Sequence, residues 1–148
     1  MRNGVELNKF TPKEKCPSLI QALGLKDKKI VLAAGRHVER KGFDYLIICF
    51  RSVIEAVPDA HLLIIGDGAL TPSLKQMVKD NNLEKHIDFL GRVDDADLVK
   101  FYQLADIFTM PNRTMEDGDT EGFGLVFLEA NACGKAVVGG IGGGTIEA

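Results

Sequence analysis

The sequence predicts an α/β fold, a parallel sheet with helices on both faces. Short apolar runs alternate with segments of helical period along most of the chain. The runs are apolar at nearly every position instead of every second one, so the strands are covered on both sides. Each run also ends on a turn residue: Gly35, Gly66, Gly91, Pro111 and Gly139.

The elements follow in order. Residues 1–27 are polar and broken by Pro12, Pro17 and Gly24, which suits a lead-in with one short helix. Lys29 to Ala34 reads as a buried strand. From Phe43, the apolar positions Leu46, Ile47, Phe50, Ile54 and Val57 keep helical spacing until Pro58. His61 to Ile65 is a second strand, and Leu70, Leu74, Met77 and Val78 mark a second amphipathic helix. Ile87 to Leu90 is a third strand. Asp94 with Asp97 three residues on resembles a capping box, opening a helix through Leu104. Ile107 to Met110 is the fourth strand, followed by a polar loop from Asn112 to Thr120. A helix from about Gly124 to Cys133 ends at Gly134, where glycine suits the cap. Ala136 to Gly139 is the fifth strand, and Gly142-Gly143-Gly144 opens a further helix or forms an anion nest.

Composition narrows the function. The 148 residues suit one domain, and 18 Lys and Arg against 21 Asp and Glu give a net charge of −3. Such a chain has no overall electrostatic attraction for nucleic acid or an anionic membrane. Hydrophobic residues at 45% and charged residues at 26% are those of a globule with a core. No apolar run reaches the ~18 residues of a membrane span, and the first residues hold no signal-peptide core. Cys16, Cys49 and Cys133 are dispersed, as are His37, His61 and His86, so no zinc spacing exists. The thiols read as free core filler in a reducing cytoplasm, and His37 as loop filler.

Chemistry in such a sheet gathers at the carboxyl ends of the strands. Arg36 and Lys41 stand in the glycine-bounded loop Gly35 to Gly42 before a helix, a position that favours anions. A phosphate or diphosphate clamp is one reading; a solvated basic loop is the other. Nine of the 16 glycines lie between Gly118 and Gly144, where close backbone approach is needed. Within that stretch, Glu121-Gly122-Phe123-Gly124-Leu125 offers backbone N–H groups to an oxyanion, with Glu121 at its mouth. Glu129 follows eight residues later, about 12 Å along a helix. That is comparable to the span from a sugar to a ribose joined by a diphosphate. Against this, Glu121 could simply complement a helix dipole and Glu129 could be a surface residue. Its neighbours Leu128, Ala130 and Ala132 instead suggest a buried helix, where a carboxylate needs a partner. Gly91-Arg92-Val93 suits the reading of a base edge, and Gly66-Asp67-Gly68 a plain turn. No GxGxxG follows the first strand, and Gly134-Lys135 is no P-loop. Glu116, Asp117 and Asp119 read as a solvated acidic loop.

These segments together resemble a known family. Gly35-Arg36 with Lys41-Gly42, Phe89-Leu90-Gly91-Arg92-Val93, and Glu121-Gly122-Phe123-Gly124 running to Glu129 look like the C-terminal domain of GT-B glycosyltransferases of family 4. Pro111 to Ala148 is especially similar to members that use GDP-mannose, such as the bacterial phosphatidylinositol mannosyltransferases. Asn3-Gly4-Val5 resembles the end of an interdomain linker.

The resemblance implies a linker and lead-in helix over 1–27 and a donor-binding, Rossmann-like domain over 28–148, incomplete at its C-terminus. It gives Arg36 and Lys41 the diphosphate of a nucleotide sugar, with Arg36, Lys41 and Glu121 as the catalytic set. The loop from Gly122 through Phe123 and Gly124 to Leu125 takes the hexose and phosphate. Glu121 takes hexose hydroxyls, Glu129 the ribose and Val93 the base. It further implies a retaining, metal-independent hexosyl transfer, with no cofactor besides the donor substrate, GDP-mannose or another nucleotide diphosphate sugar. The partner domain is an absent N-terminal acceptor-binding domain. The parent is cytoplasmic, at the inner membrane face through a lipid acceptor, and the fragment by itself is inactive. The fifth strand is expected to be an apolar sheet edge that invites self-association. Two alternatives stand beside this: a non-catalytic nucleotide-binding module, or a fragment of a GT-B-type sugar-nucleotide epimerase or phosphorylase.

Overall fold

A computed structural model describes residues 4–142. Its strands are β1 (Lys29–Ala34), β2 (Ala60–Ile65), β3 (Ile87–Gly91), β4 (Ile107–Met110) and β5 (Ala136–Gly139). Its helices are α1 (Pro17–Ala22), α2 (Phe43–Ala56), α3 (Thr71–Asp80), α4 (Asp95–Leu104) and α5 (Leu125–Ala132). The five strands are all parallel, in the order β3-β2-β1-β4-β5. This is the predicted Rossmann-like arrangement.

The apolar runs explain the centre of the sheet. Every residue of β2 is buried, and Ile30, Leu32, Ala33 and Ala34 of β1 are buried beside it. The ladder pairs Lys29 with Ala60 through Ala34 with Ile65, which starts β2 one residue before His61. Helix α2 lays Phe43, Ile47 and Phe50 on the sheet, and α3 lays Leu74 and Val78 there. Asp94 caps α4 as its spacing predicts, its carboxylate accepting the Asp97 N–H at 2.8 Å.

The strand order reverses between β1 and β4: it runs outward through β2 on one side and through β5 on the other. The crevice above this switch is bordered by the loop after β1 and the long loop after β4. A third loop, Gly66-Asp67-Gly68, is pulled against the first. At Gly66 φ is +121°, and a Cβ there would stand 1.9 Å from the Gly35 carbonyl oxygen, so only glycine lets the two backbones meet.

Several expectations are corrected. The loop after β1 contains an unforeseen 3-10 turn, Glu39–Lys41. His37 is not loop filler: it is completely buried, its Nδ1 lies 2.7 Å from the Thr71 hydroxyl oxygen, and its backbone N–H donates to the Asp67 carbonyl. Its ring packs edge-on to Phe43 and Phe89. The turn it grips is closed by Asp67, whose carboxylate accepts from the Gly68 N–H and the Thr71 hydroxyl, each at 2.8 Å. Core filling holds for Cys133 alone among the thiols; Cys49 is exposed on α2 and Cys16 half-buried. From Gly143 onward, the helix expected to open at Gly142-Gly143-Gly144 lies outside the described residues, as does Asn3 of the linker motif.

Candidate functional site

Lys41 and Glu121 meet at the crevice. The 3-10 turn directs the Lys41 side chain inward, where it packs within contact distance of Gly35. Its ammonium donates to Glu121 Oε2, and Arg40 Nη1 approaches the same oxygen at 3.4 Å. The Lys41 and Glu121 side chains are only 11% and 12% exposed. Burial would push the Glu121 carboxyl up. The hydrogen bond from Lys41 and the charges of Lys41 and Arg40 outweigh it, so the group lies below the usual carboxylate range.

The clamp therefore differs from the expected pair of basic residues leaning together over the crevice. Lys41 is neutralised by Glu121, whereas Arg36 is exposed and makes no ion pair among the described residues. Arg36 lines a mostly apolar cleft of about 350 Å³ with Gly35, Gly66, Arg92, Val93 and Val126. Val93 lies in the wall of the same cleft as Arg36.

The loop before α5 is tighter than its reading as an open cradle of N–H groups. The Gly122 N–H points back to Glu121 Oε1 at 3.2 Å. Phe123 is half-buried, and Gly124, at φ +70°, turns the chain into α5 with no side chain capping the helix. Leu125 is exposed at the first helical position. Because α5 begins at Leu125, only the second half of the stretch from Glu121 to Glu129 rises as a helix. The 12 Å estimate, which took all of it as helical, does not carry over.

Glu129 has the partner its surroundings demand. It is half-buried between α4 and the lead-in, where Val5, Lys9, Phe10, Asp95 and Leu98 line a small cavity with it. The Tyr102 hydroxyl donates to Glu129 Oε2 at 2.7 Å. Burial raises the Glu129 carboxyl above its ordinary range, and this hydrogen bond partly opposes the rise. The helix is less buried than expected: Phe127 and Ala130 are its buried residues.

Sequence reading missed Arg40, Tyr102 and Arg113. Arg40 also reaches Asp119 Oδ2 at 3.3 Å. Arg113 bridges Glu39 and Asp44 at 3.3 and 3.0 Å and lies over the Tyr45 ring. Together they tie the loop after β4 to the start of α2. No local signal marks them, since their partners lie dozens of residues away. Tyr102 had a signal: it falls four residues after Leu98 on one face of α4. The acidic residues Glu116 and Asp117 are exposed as expected.

Known proteins share this fold. A family model described as glycosyl transferases group 1 matches residues 17–148. A GDP-mannose-dependent monoacylated alpha-(1-6)-phosphatidylinositol monomannoside mannosyltransferase of Corynebacterium glutamicum is 42% identical, over 98% of this chain and 39% of that protein. The GDP-mannose-dependent alpha-(1-6)-phosphatidylinositol monomannoside mannosyltransferase of Mycolicibacterium smegmatis is 37% identical, over 97% and 38%. The chain thus spans about two fifths of the length of these relatives.

Among solved structures, Anabaena HepE in complex with UDP superposes with a TM-score of 0.80 at 28% identity, over 98% of this chain and 39% of that one. The C-terminal domain of LpcC, a glycosyl transferase group 1 family protein from Francisella tularensis, gives 0.76 at 27%, over 92% and 70%. A family match over most of the chain, with the strand order and loops described above, leads to one assignment: this chain belongs to the glycosyl transferases group 1, and its fold is the Rossmann-like C-terminal domain of the GT-B architecture.

Proposed function

We propose that this chain is the donor-binding domain of a retaining hexosyltransferase and holds a nucleotide diphosphate sugar in the crevice between β1 and β4. The Lys41–Glu121 pair, together with Arg36, which makes no ion pair among the described residues, and the start of α5, which has no side-chain cap, carries the reading. In it, Arg36 and Lys41 take the diphosphate, backbone N–H groups from Gly122 to Leu125 take hexose and phosphate, and Glu121 takes hexose hydroxyls. Glu129 takes the ribose and Val93 the base. GDP-mannose is the favoured donor, because the mannosyltransferase relatives named above are GDP-mannose-dependent.

Chemically, the cations and the helix N-terminus would stabilise charge developing on the departing diphosphate, in place already before it forms. No metal is required for that neutralisation. The whole protein would move a mannosyl group to a lipid acceptor at the inner membrane face. An N-terminal domain would supply the second wall of the cleft. Closure of both walls excludes water, so this chain alone would bind donor weakly and transfer nothing.

Titration of two variants with GDP and GDP-mannose tests the reading. Glu129→Ala weakens both ligands, because both contain the ribose. Glu121→Ala weakens GDP-mannose and spares GDP. Loss of free GDP on Glu121→Ala as severe as the loss of the sugar nucleotide would refute the division. A non-catalytic nucleotide-binding module is the competing reading. It predicts binding of nucleotide with no transfer even when the partner domain is restored.

A further inference from the structure

Glu129 is a carboxylate with one oxygen committed. Among the described residues its hydrogen-bond partner is the Tyr102 hydroxyl, which meets Oε2 at 2.7 Å and leaves Oε1 without one. Tyr102 is 0% exposed. Its ring lies between Phe10 and Phe108, at centroid distances of 6.0 and 5.5 Å, so the hydroxyl has little freedom. Burial and the neighbouring carboxylate both drive the phenol far above its ordinary pKa, so it keeps its proton and acts as the donor.

Glu129 stands at the edge of the cavity lined by Lys9, Phe10, Asp95 and Leu98. Leu98 also lines the cleft that holds Arg36 and Val93, so the two hollows share a wall. Glu129 and Val126 are three residues apart on α5, one in each hollow. A nucleoside lying along this trough, with its base near Val93, would bring its sugar towards Glu129.

We propose that Tyr102 is a positioning residue for donor binding: by holding Oε2 of Glu129 it fixes the rotamer that presents Oε1 to the ribose hydroxyls. This rests on the assignment of Glu129 to the ribose. An unheld glutamate could turn along its own helix, and orienting it would then cost affinity with each binding event. The phenol removes that cost before ligand arrives. Phenylalanine at the position fills nearly the same volume and removes only the donor.

The test is calorimetric titration of this chain, as wild type, Tyr102→Phe and Glu129→Gln, with GDP and with 2′,3′-dideoxy-GDP. Wild type should prefer the ribose form by about tenfold, the scale of a hydrogen bond to a charged group. Tyr102→Phe should cut that preference at least threefold and leave the dideoxy affinity within twofold. Equal weakening of both ligands, or no change in either, would overturn the proposal and leave Tyr102 a packing residue. If Glu129→Gln keeps the full ribose preference, the assignment of Glu129 fails instead. Carboxyl-carbon NMR supplies a readout independent of nucleotide. Glu129 should titrate at higher pH in Tyr102→Phe, and an unchanged titration means the phenol does not hold it.

Discussion

Lys41 and Glu121, 80 positions apart in the chain, form an ion pair at the switch point of the sheet. The loop after β1 and the loop after β4 are thereby joined by the two side chains assigned to opposite ends of the donor's reactive bond. Each neutralises the other. A diphosphate would draw Lys41, and Glu121 would turn to sugar hydroxyls.

This pair stabilises the fold in a pH-dependent way. Glu121 lies below its ordinary pKa, so its contribution is complete above the unfolded value of about 4.3 and is lost as pH falls through the lower folded value. Glu121→Gln should cost about 3 kcal/mol at pH 7, the scale for breaking a largely buried pair, because it leaves Lys41 and Arg40 without the anion they share. The variant should also lose less stability than wild type between pH 5 and pH 3. Urea denaturation at several pH values measures both.

Arg36 offers a cleaner test of diphosphate capture than Lys41, since it is exposed and supports no ion pair among the described residues. Arg36→Ala should leave the unfolding midpoint unchanged and weaken GDP by about tenfold, the loss of one charge-assisted hydrogen bond. Chelating divalent metal with EDTA should leave GDP affinity as it was. Unaltered affinity in Arg36→Ala would remove the residue from the site.

His37 gives the fold a second pH dependence, at milder acidity. Burial holds its imidazole below the usual pKa, so the unfolded chain takes up the proton first. Stability should therefore decline as pH drops below about 6.5. His37→Gln should flatten the decline between pH 6.5 and 5, and an equal slope in both proteins would contradict it.

Two glycines separate folding from binding. Gly66→Ala forces a methyl onto the Gly35 carbonyl and should cost about 3 kcal/mol or more. A Cβ at Gly122 meets nothing within 4 Å, so Gly122→Ala should fold with normal stability. The added methyl would still obstruct close approach of hexose and phosphate, so GDP-mannose affinity should fall. Thermal melts and titrations distinguish the two effects.

At the far side of the sheet, β5 pairs with β4 alone among the described residues, and Val138 is 53% exposed there. An apolar strand with an open edge recruits another chain. The 148-residue chain should self-associate with rising concentration in sedimentation runs, and Val138→Lys should reduce it. A wild-type monomer at every concentration would argue against the edge.

Strand positions, helix faces and parallel order were legible in the sequence because they depend on local period and on apolar runs. Ile107–Met110 and Lys29–Ala34 agree to the residue. The loops carrying Arg36, Val93 and Glu121 and the helix carrying Glu129 were legible as elements for the same reason. What the sequence could not supply is which of these side chains touch. The inward turn of Lys41, the grip of Tyr102 on Glu129 and the burial of His37 against Thr71 join residues 80, 27 and 34 positions apart. Those pairings follow from how the sheet brings its loops and helices together, and burial then sets the charge on each group. Periodicity along the chain determines the elements; only their packing in space decided which carboxylate is held, which cation is neutralised and which makes no ion pair among the described residues.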